Sequence, residues 1–133
     1  HPSDRLMPMI KTAQLKGVAL DWATAKADGL SPDILPTEYG TGPRVFVAKG
    51  RYQRYWPTLD WLQAGELLDK YGVDLGGEVS IERYRAGDIR LASICTSTRA
   101  PAMAAGPDAK TAICRAVVAA VLGDEVDIPE ELA

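Results

Sequence analysis

Apolar residues recur at intervals of three and four in three stretches of the chain, and each stretch predicts an amphipathic helix. In the first, Leu15, Val18, Ala19, Trp22 and Ala25 place one apolar stripe along residues 15–28. Thr12 reads as its N-cap and Gly29 as its stop. In the second, Trp61, Ala64, Leu67, Leu68 and Tyr71 share a stripe, Pro57-Thr58-Leu59-Asp60 opens the helix with Thr58 as N-cap, and Gly72 ends it. The third stripe joins Ala109, Ala112, Ile113, Ala116, Val117, Ala120 and Val121, and Gly123 closes it. The hexapeptide pattern Leu-Asp-Trp-x-x-Ala occurs at positions 20–25 and again at 59–64, so it anchors the first two helices. Trp22 and Trp61 are therefore expected in the core, since aromatics at helical spacing usually pack.

Other stretches read as strands and loops. Arg44–Lys49 is a continuous β-branched and aromatic run without alternation, which predicts a strand covered on both faces. Residues 78–85 and 89–96 flank Ala86-Gly87-Asp88 as a hairpin, and Val79 and Ile81 alternating with Ser80 and Glu82 put the first of these at a sheet edge. Residues 30–43 and 97–106 read as loops, the first from its Pro and Gly, the second from its small residues. Residues 51–56 are compatible with either a short strand or an exposed loop. The order α-β-α-β-β-α predicts a small αβα sandwich, with helices on both faces of a mixed or antiparallel sheet of about three to four strands. A two-layer α+β sandwich is the alternative.

Length and composition fit this picture. A chain of 133 residues with 47% hydrophobic and 25% charged side chains suffices for one domain. Residues 1–9 read as a leader, an appended or upstream extension, residues 10–133 as one globular domain, and residues 124–133 as its acidic tail. No apolar run approaches the roughly 20 residues that span a bilayer, so no membrane partner is expected. The net charge of −3 is uneven: residues 1–43 carry −1, residues 44–99 carry +2 and residues 100–133 carry −4. The basic middle and acidic end are compatible with a homodimer and equally with contact inside one molecule. Two cysteines, Cys95 and Cys114, do not make a disulfide framework and read as buried thiols in a reducing cytoplasm.

Candidate chemistry is sparse. The one histidine is His1, in the leader, which removes Ser-His, Cys-His and His-metal constellations. No phosphate cradle or metal-ligand spacing is present, so no catalytic residue, cofactor or metal is assigned. Asp21 and Asp60 occupy equivalent places in the two repeats and could converge as an acid/base pair. The simpler reading makes Asp60 a helix-start residue and Asp21 a solvated neighbour of Trp22. Asp124, Glu125 and Asp127 read as a solvated tail rather than a cation loop. Arg115, beside the apolar stripe of the last helix, reads as bonding an acidic neighbour or covering apolar surface with its stem rather than contacting a ligand.

One segment carries a binding signal. Lys49-Gly50-Arg51-Tyr52-Gln53-Arg54-Tyr55-Trp56 interleaves three cations with three aromatics. Arg51, Tyr52, Arg54, Tyr55 and Trp56 form the candidate surface, which Arg83, Tyr84, Arg85 and Arg90 could extend. Such residues dominate protein–protein hot spots, and they also pair phosphates while stacking bases.

Gly17-Val18-Ala19-Leu20-Asp21-Trp22-Ala23, Tyr55-Trp56-Pro57-Thr58-Leu59-Asp60-Trp61, and Ala112-Ile113-Cys114-Arg115 running into Leu122-Gly123-Asp124-Glu125-Val126 together resemble the NinX-like proteins of phages and prophages. The last two are also similar to phage αβα-sandwich domains. Family members commonly have Ser-Thr-Asp-Trp where this chain has Thr58-Leu59-Asp60-Trp61. The resemblance covers the chain from about Ile10 onward and implies no activity or cofactor. It implies a cytoplasmic setting in an infected bacterium. With the missing catalytic constellation, it points to a non-enzymatic accessory protein that binds a host or phage protein. Nucleic-acid binding through residues 49–56 is the first alternative, and an enzyme using Asp21 and Asp60 the second.

Overall fold

A computed structural model of the chain describes residues 7–37, 39, 40, 42–96 and 99–133. Strand β1 (Met9–Lys11) leads through a 3-10 turn into helix α1 (Gly17–Ala27). Strands β2 (Asp33–Leu35), β3 (Arg44–Lys49) and β4 (Arg51–Arg54) follow, then helix α2 (Trp61–Tyr71) and strand β5 (Val73–Leu75). The short helix α3 (Ile81–Arg85), strands β6 (Arg90–Thr96) and β7 (Arg99–Gly106), helix α4 (Ala109–Leu122) and strand β8 (Glu125–Asp127) complete the order.

The fold is mixed α/β, and every strand pairing is antiparallel. The strands form a β1-β8 ribbon and two three-stranded sheets, β2-β3-β4 and β5-β6-β7. Helix α4 packs on the β5-β6-β7 sheet and also against α1 and α2, which is why all residues from Thr111 to Val118 are buried. Its opposite flank meets α1, whose Leu20, Ala23 and Ala27 join Ile113, Val117 and Ile94 in the larger core. Helix α1 is buried on a second side as well: Ala25 meets Val45, Val47 and Tyr55 beneath the β2-β3-β4 sheet. Trp22 is half-buried and touches both cores.

Several local expectations change. Strand β3 is covered on one face only: Val45 and Val47 are buried while Phe46 is half-buried and Ala48 exposed. Its lack of alternation arose because Phe46 packs on a neighbouring ring rather than under a helix. Residues 81–85 form α3 instead of a strand, because the Ser80 hydroxyl caps the Arg83 amide at 3.3 Å. The partner of β6 is β7, in the stretch expected to be a loop; residues 97 and 98 of that stretch lie outside the described residues, as do 1–6, 38 and 41. Asp60, not Thr58, caps α2 by accepting the Leu62 amide at 3.2 Å. Helix α1 starts at Gly17, with no side-chain cap from Thr12, whose hydroxyl bonds the Gly123 carbonyl. Trp61 is 53% exposed with the Lys110 ammonium 4.6 Å from its ring, so it is not a core residue. Cys95 is exposed and Cys114 buried, both as free thiols.

The acidic tail is anchored. Strand β8 pairs with β1 in the register Met9↔Asp127, Ile10↔Val126, Lys11↔Glu125, and Ile128 is completely buried.

Candidate binding face

The β2-β3-β4 sheet presents one face to α1, and among the described residues no helix packs on the other. Side chains alternate across a strand, and register fixes which of them share the outer face. Asp33 lies opposite Phe46, Phe46 opposite Arg54, and Ala48 opposite Tyr52. Arg44, two residues before Phe46, belongs to the same row. The rings of Phe46 and Tyr52 stack with centroids 5.4 Å apart, and the Tyr52 hydroxyl donates to Asp33 at 3.0 Å. The Arg44 guanidinium sits 5.6 Å from the Phe46 ring. Arg54 lies 3.9 Å over the ring of Trp56, close enough for a cation–π contact.

The five residues singled out in the sequence therefore divide. Tyr52, Arg54 and Trp56 lie on this face or at its rim. Arg51 is exposed but shares the opposite face with Lys49, its partner at the turn. Tyr55 points inward, is 1% exposed, and continues the ladder by donating its amide to the Val45 carbonyl at 2.8 Å. Burial drives its phenol well above the ordinary tyrosine range, with the Asp28 charge adding to the effect. Arg83, Tyr84, Arg85 and Arg90 belong to α3 and β6, beside the other sheet, and Arg83 is held by Asp88 at 2.6 Å. Arg44, Phe46 and Asp33 complete the face and were missed. The spacing Arg44-x-Phe46 was their signal, hidden by the apolar residues between and after them.

A residue on α2 fixes the exit of β4. Gln63, 8% exposed, accepts the Trp56 amide at 2.8 Å and donates to the Arg54 carbonyl at 2.7 Å. It holds Arg54 and Trp56 on either side of the inward-pointing Tyr55.

Next to this rim, Asp21 lies beneath the surface at 4% exposure rather than in solvent. It accepts the Thr58 amide at 3.0 Å. Burial raises its carboxyl from 3.8 to about 7, against the opposing pull of the Thr58 amide, the Thr58 side chain and the Arg54 charge. Asp60 is turned to its own helix start, so the two repeated aspartates have separate local duties. Among the described residues, no group of three or more His, Cys, Asp or Glu side chains is placed to hold a metal ion. No described helix is long and apolar enough to cross a membrane.

The comparisons bear on this chain as a whole. The family model described as Bacteriophage P22, NinX matches residues 11–120. The chain belongs to this phage family. That match takes in α1, the whole binding face, the hairpin of β6 and β7, and most of α4. No curated protein matches it. The NinX assignment makes the protein a phage accessory protein and carries no named activity with it.

Proposed function

We propose that this NinX-family protein is a non-enzymatic binding module that uses the outer face of the β2-β3-β4 sheet to hold a host or phage protein in the bacterial cytoplasm. The observation that carries the reading is the set Arg44, Phe46, Tyr52, Arg54 and Trp56, gathered on one side of a sheet whose other side is packed. Aromatic and arginine side chains that are already ordered lose little freedom on association, which makes them effective anchors. Tyr52 is 54% exposed, so partner contact would remove substantial apolar area from water. The guanidinium of Arg54 at the rim favours a partner surface that brings acidic groups to it.

The test is retention of partners from infected-cell extract on the immobilised chain and on a Tyr52→Ala/Arg54→Ala/Trp56→Ala variant. Tyr55 is left intact, since it is in the core. The reading requires a discrete protein, purified and rebound in isolation, that the folded variant fails to hold. Identical retention by both would reject it.

Cations beside rings on one strand face also favour a second reading, single-stranded nucleic acid. It predicts oligonucleotide binding that weakens steeply with salt, and no binding at low salt disposes of it.

A further inference from the structure

Strand β7 ends its sheet: it pairs with β6 on one side, and among the described residues no strand pairs with it on the other. Two hydrogen bonds fix which of its backbone groups face that open side. Leu91 of β6 turns its carbonyl to the Gly76 amide at 3.0 Å, away from β7, and Leu91 stands opposite Ala105. In an antiparallel ladder both members of such a pair turn their N–H and C=O outward. Accordingly the Ala105 carbonyl is met from outside, by Arg115 Nη1 at 2.9 Å. Register is regular from Ala102 to Gly106, so the outward set recurs at Met103. Pro101, where the register shifts, has no N–H to give, and proline is confined to edges and bulges of this kind. Met103 is left with an N–H and a C=O directed off the sheet and a side chain 58% exposed. No bond from the described residues reaches either group.

A groove of about 520 Å³ runs beside this edge, lined by Met103 and Ala104 of β7 and by Lys11 at the end of β1. Its walls suit small apolar side chains. Leu91 and Val79 offer contact on the face that Met103 shares, and only Ala104 and Ala119 stand on the α4 side. Charge selects further. Glu78, Asp124 and Glu125 line the groove and form no ion pair among the described residues. Its cations are Lys11 and Arg83, and Arg83 is committed to Asp88 at 2.6 Å and to the Ala13 carbonyl at 3.3 Å. We propose that the β7 edge at Met103 accepts a further strand: an extended segment of a partner protein, small and apolar at its centre, with lysine or arginine on either side. Main-chain bonds to Met103 supply affinity, and the acidic, narrow groove supplies selection. The residue placed opposite Met103 exchanges both bonds with it, and its side chain falls towards Leu91 and Val79. The site belongs to the β5-β6-β7 sheet, so it goes beyond the proposed binding face and stands whether or not that face engages a protein.

The test uses the full chain and the capped peptide Ac-Lys-Ala-Val-Ala-Lys-NH2, its N-methylvaline form, and a counterpart with glutamate at both ends. Amide hydrogen exchange should find Met103 unprotected in the free protein and Ala104, whose N–H faces β6, protected. Saturating lysine peptide should slow exchange at Met103 by about tenfold or more and leave Ala104 unchanged. N-methylation removes the donor aimed at the Met103 carbonyl and should weaken binding about tenfold. Glutamate in place of lysine should weaken it at least as much. Met103→Pro deletes the outward N–H without taking a bond from the β6 ladder. It should melt near wild type and bind the lysine peptide about tenfold more weakly, whereas Met103→Ala should bind within about threefold of wild type. Protection of the Met103 amide without peptide, growing with protein concentration, would give the edge to a second copy of the chain and overturn the proposal. No change at Met103 with the lysine peptide, or equal binding of the N-methylated or glutamate form, would overturn it too.

Discussion

Arg115 on α4 donates through Nη1 to Asp88 Oδ1 at 3.1 Å, a buried ion pair joining the last helix to the turn before β6. The same guanidinium donates Nη1 to the Ala105 carbonyl at 2.9 Å and Nε to the Leu15 carbonyl at 2.8 Å. One side chain, 5% exposed, therefore ties α4 to β7, to the approach to α1 and to the α3–β6 turn. Removing one partner of such a pair strands the others. Arg115→Ala is expected to cost about 3–5 kcal/mol in urea denaturation. Asp88→Ala leaves the buried Arg115 charge unpaired and also releases Arg83, so it should cost a comparable amount, about 3–5 kcal/mol.

The pH dependence of stability should carry the signature of Asp21. Its carboxyl binds a proton more tightly folded than unfolded, at about 7 against 3.8. Between those values the folded state holds one more proton than the unfolded state, so stability falls as pH rises from about 4 to about 7 and levels off above. Asp21→Asn keeps an oxygen for the Thr58 amide and removes the titration. Denaturation midpoints measured from pH 4 to pH 8 should fall less steeply in that variant, and it should be the more stable protein at pH 8, by on the order of 2 kcal/mol.

Two aromatic positions three residues apart, Tyr55 and Tyr52, should behave differently. Tyr55→Ala opens the core under β3 and is expected to cost about 3–5 kcal/mol. Tyr55→Phe deletes a buried hydroxyl that has no hydrogen-bond partner and should be near neutral or stabilising. Tyr52→Ala, on the open face, should stay within about 1 kcal/mol of wild type. Thermal melts of the three variants check this.

Gln63 gives a separate handle on the face. Gln63→Leu leaves the Trp56 amide and Arg54 carbonyl without their partner and should loosen both side chains without touching them. Trp56 fluorescence is expected to shift, and partner affinity to fall by about tenfold, corresponding to roughly 1.4 kcal/mol.

Two glycines test how tightly the elements meet. A Cβ at Gly106 would stand 2.8 Å from the Ala112 amide nitrogen, so Gly106→Ala must push α4 from β7, at about 1–3 kcal/mol. Gly65 lies within α2, with nothing within 4 Å of a new Cβ, and Gly65→Ala should stabilise by about 0.5–1 kcal/mol.

The helices were legible because burial follows their stripes: Leu67 and Ala64 in α2, Ile113 and Val117 in α4. Helix α1 was legible only in part. Its stripe found Leu15, Ala19 and Ala25, but the burial of Leu20, Ala23 and Ala27 and the depth of Asp21 depend on elements packed on its other sides. Strand β7 was hidden because its alanines and proline carry neither β propensity nor alternation, and its ladder to β6 comes from pairing alone. Conversely, the alternation of Val79 and Ile81 imitated an edge strand, and a single serine cap decided for helix. The binding segment was found at Tyr52, Arg54 and Trp56. Its other half, Arg44 and Phe46, came from the neighbouring strand, and only register joins the two.

Pairing of Met9 with Asp127 and insertion of Ile128 into the interior have a temporal meaning. The opening strand must wait for a companion that leaves the ribosome more than a hundred residues later. Joining partners so distant in sequence is an entropically late step. During synthesis, then, helices and inner hairpins can assemble while the molecule stays unlatched, and the final seam closes once residue 128 has emerged.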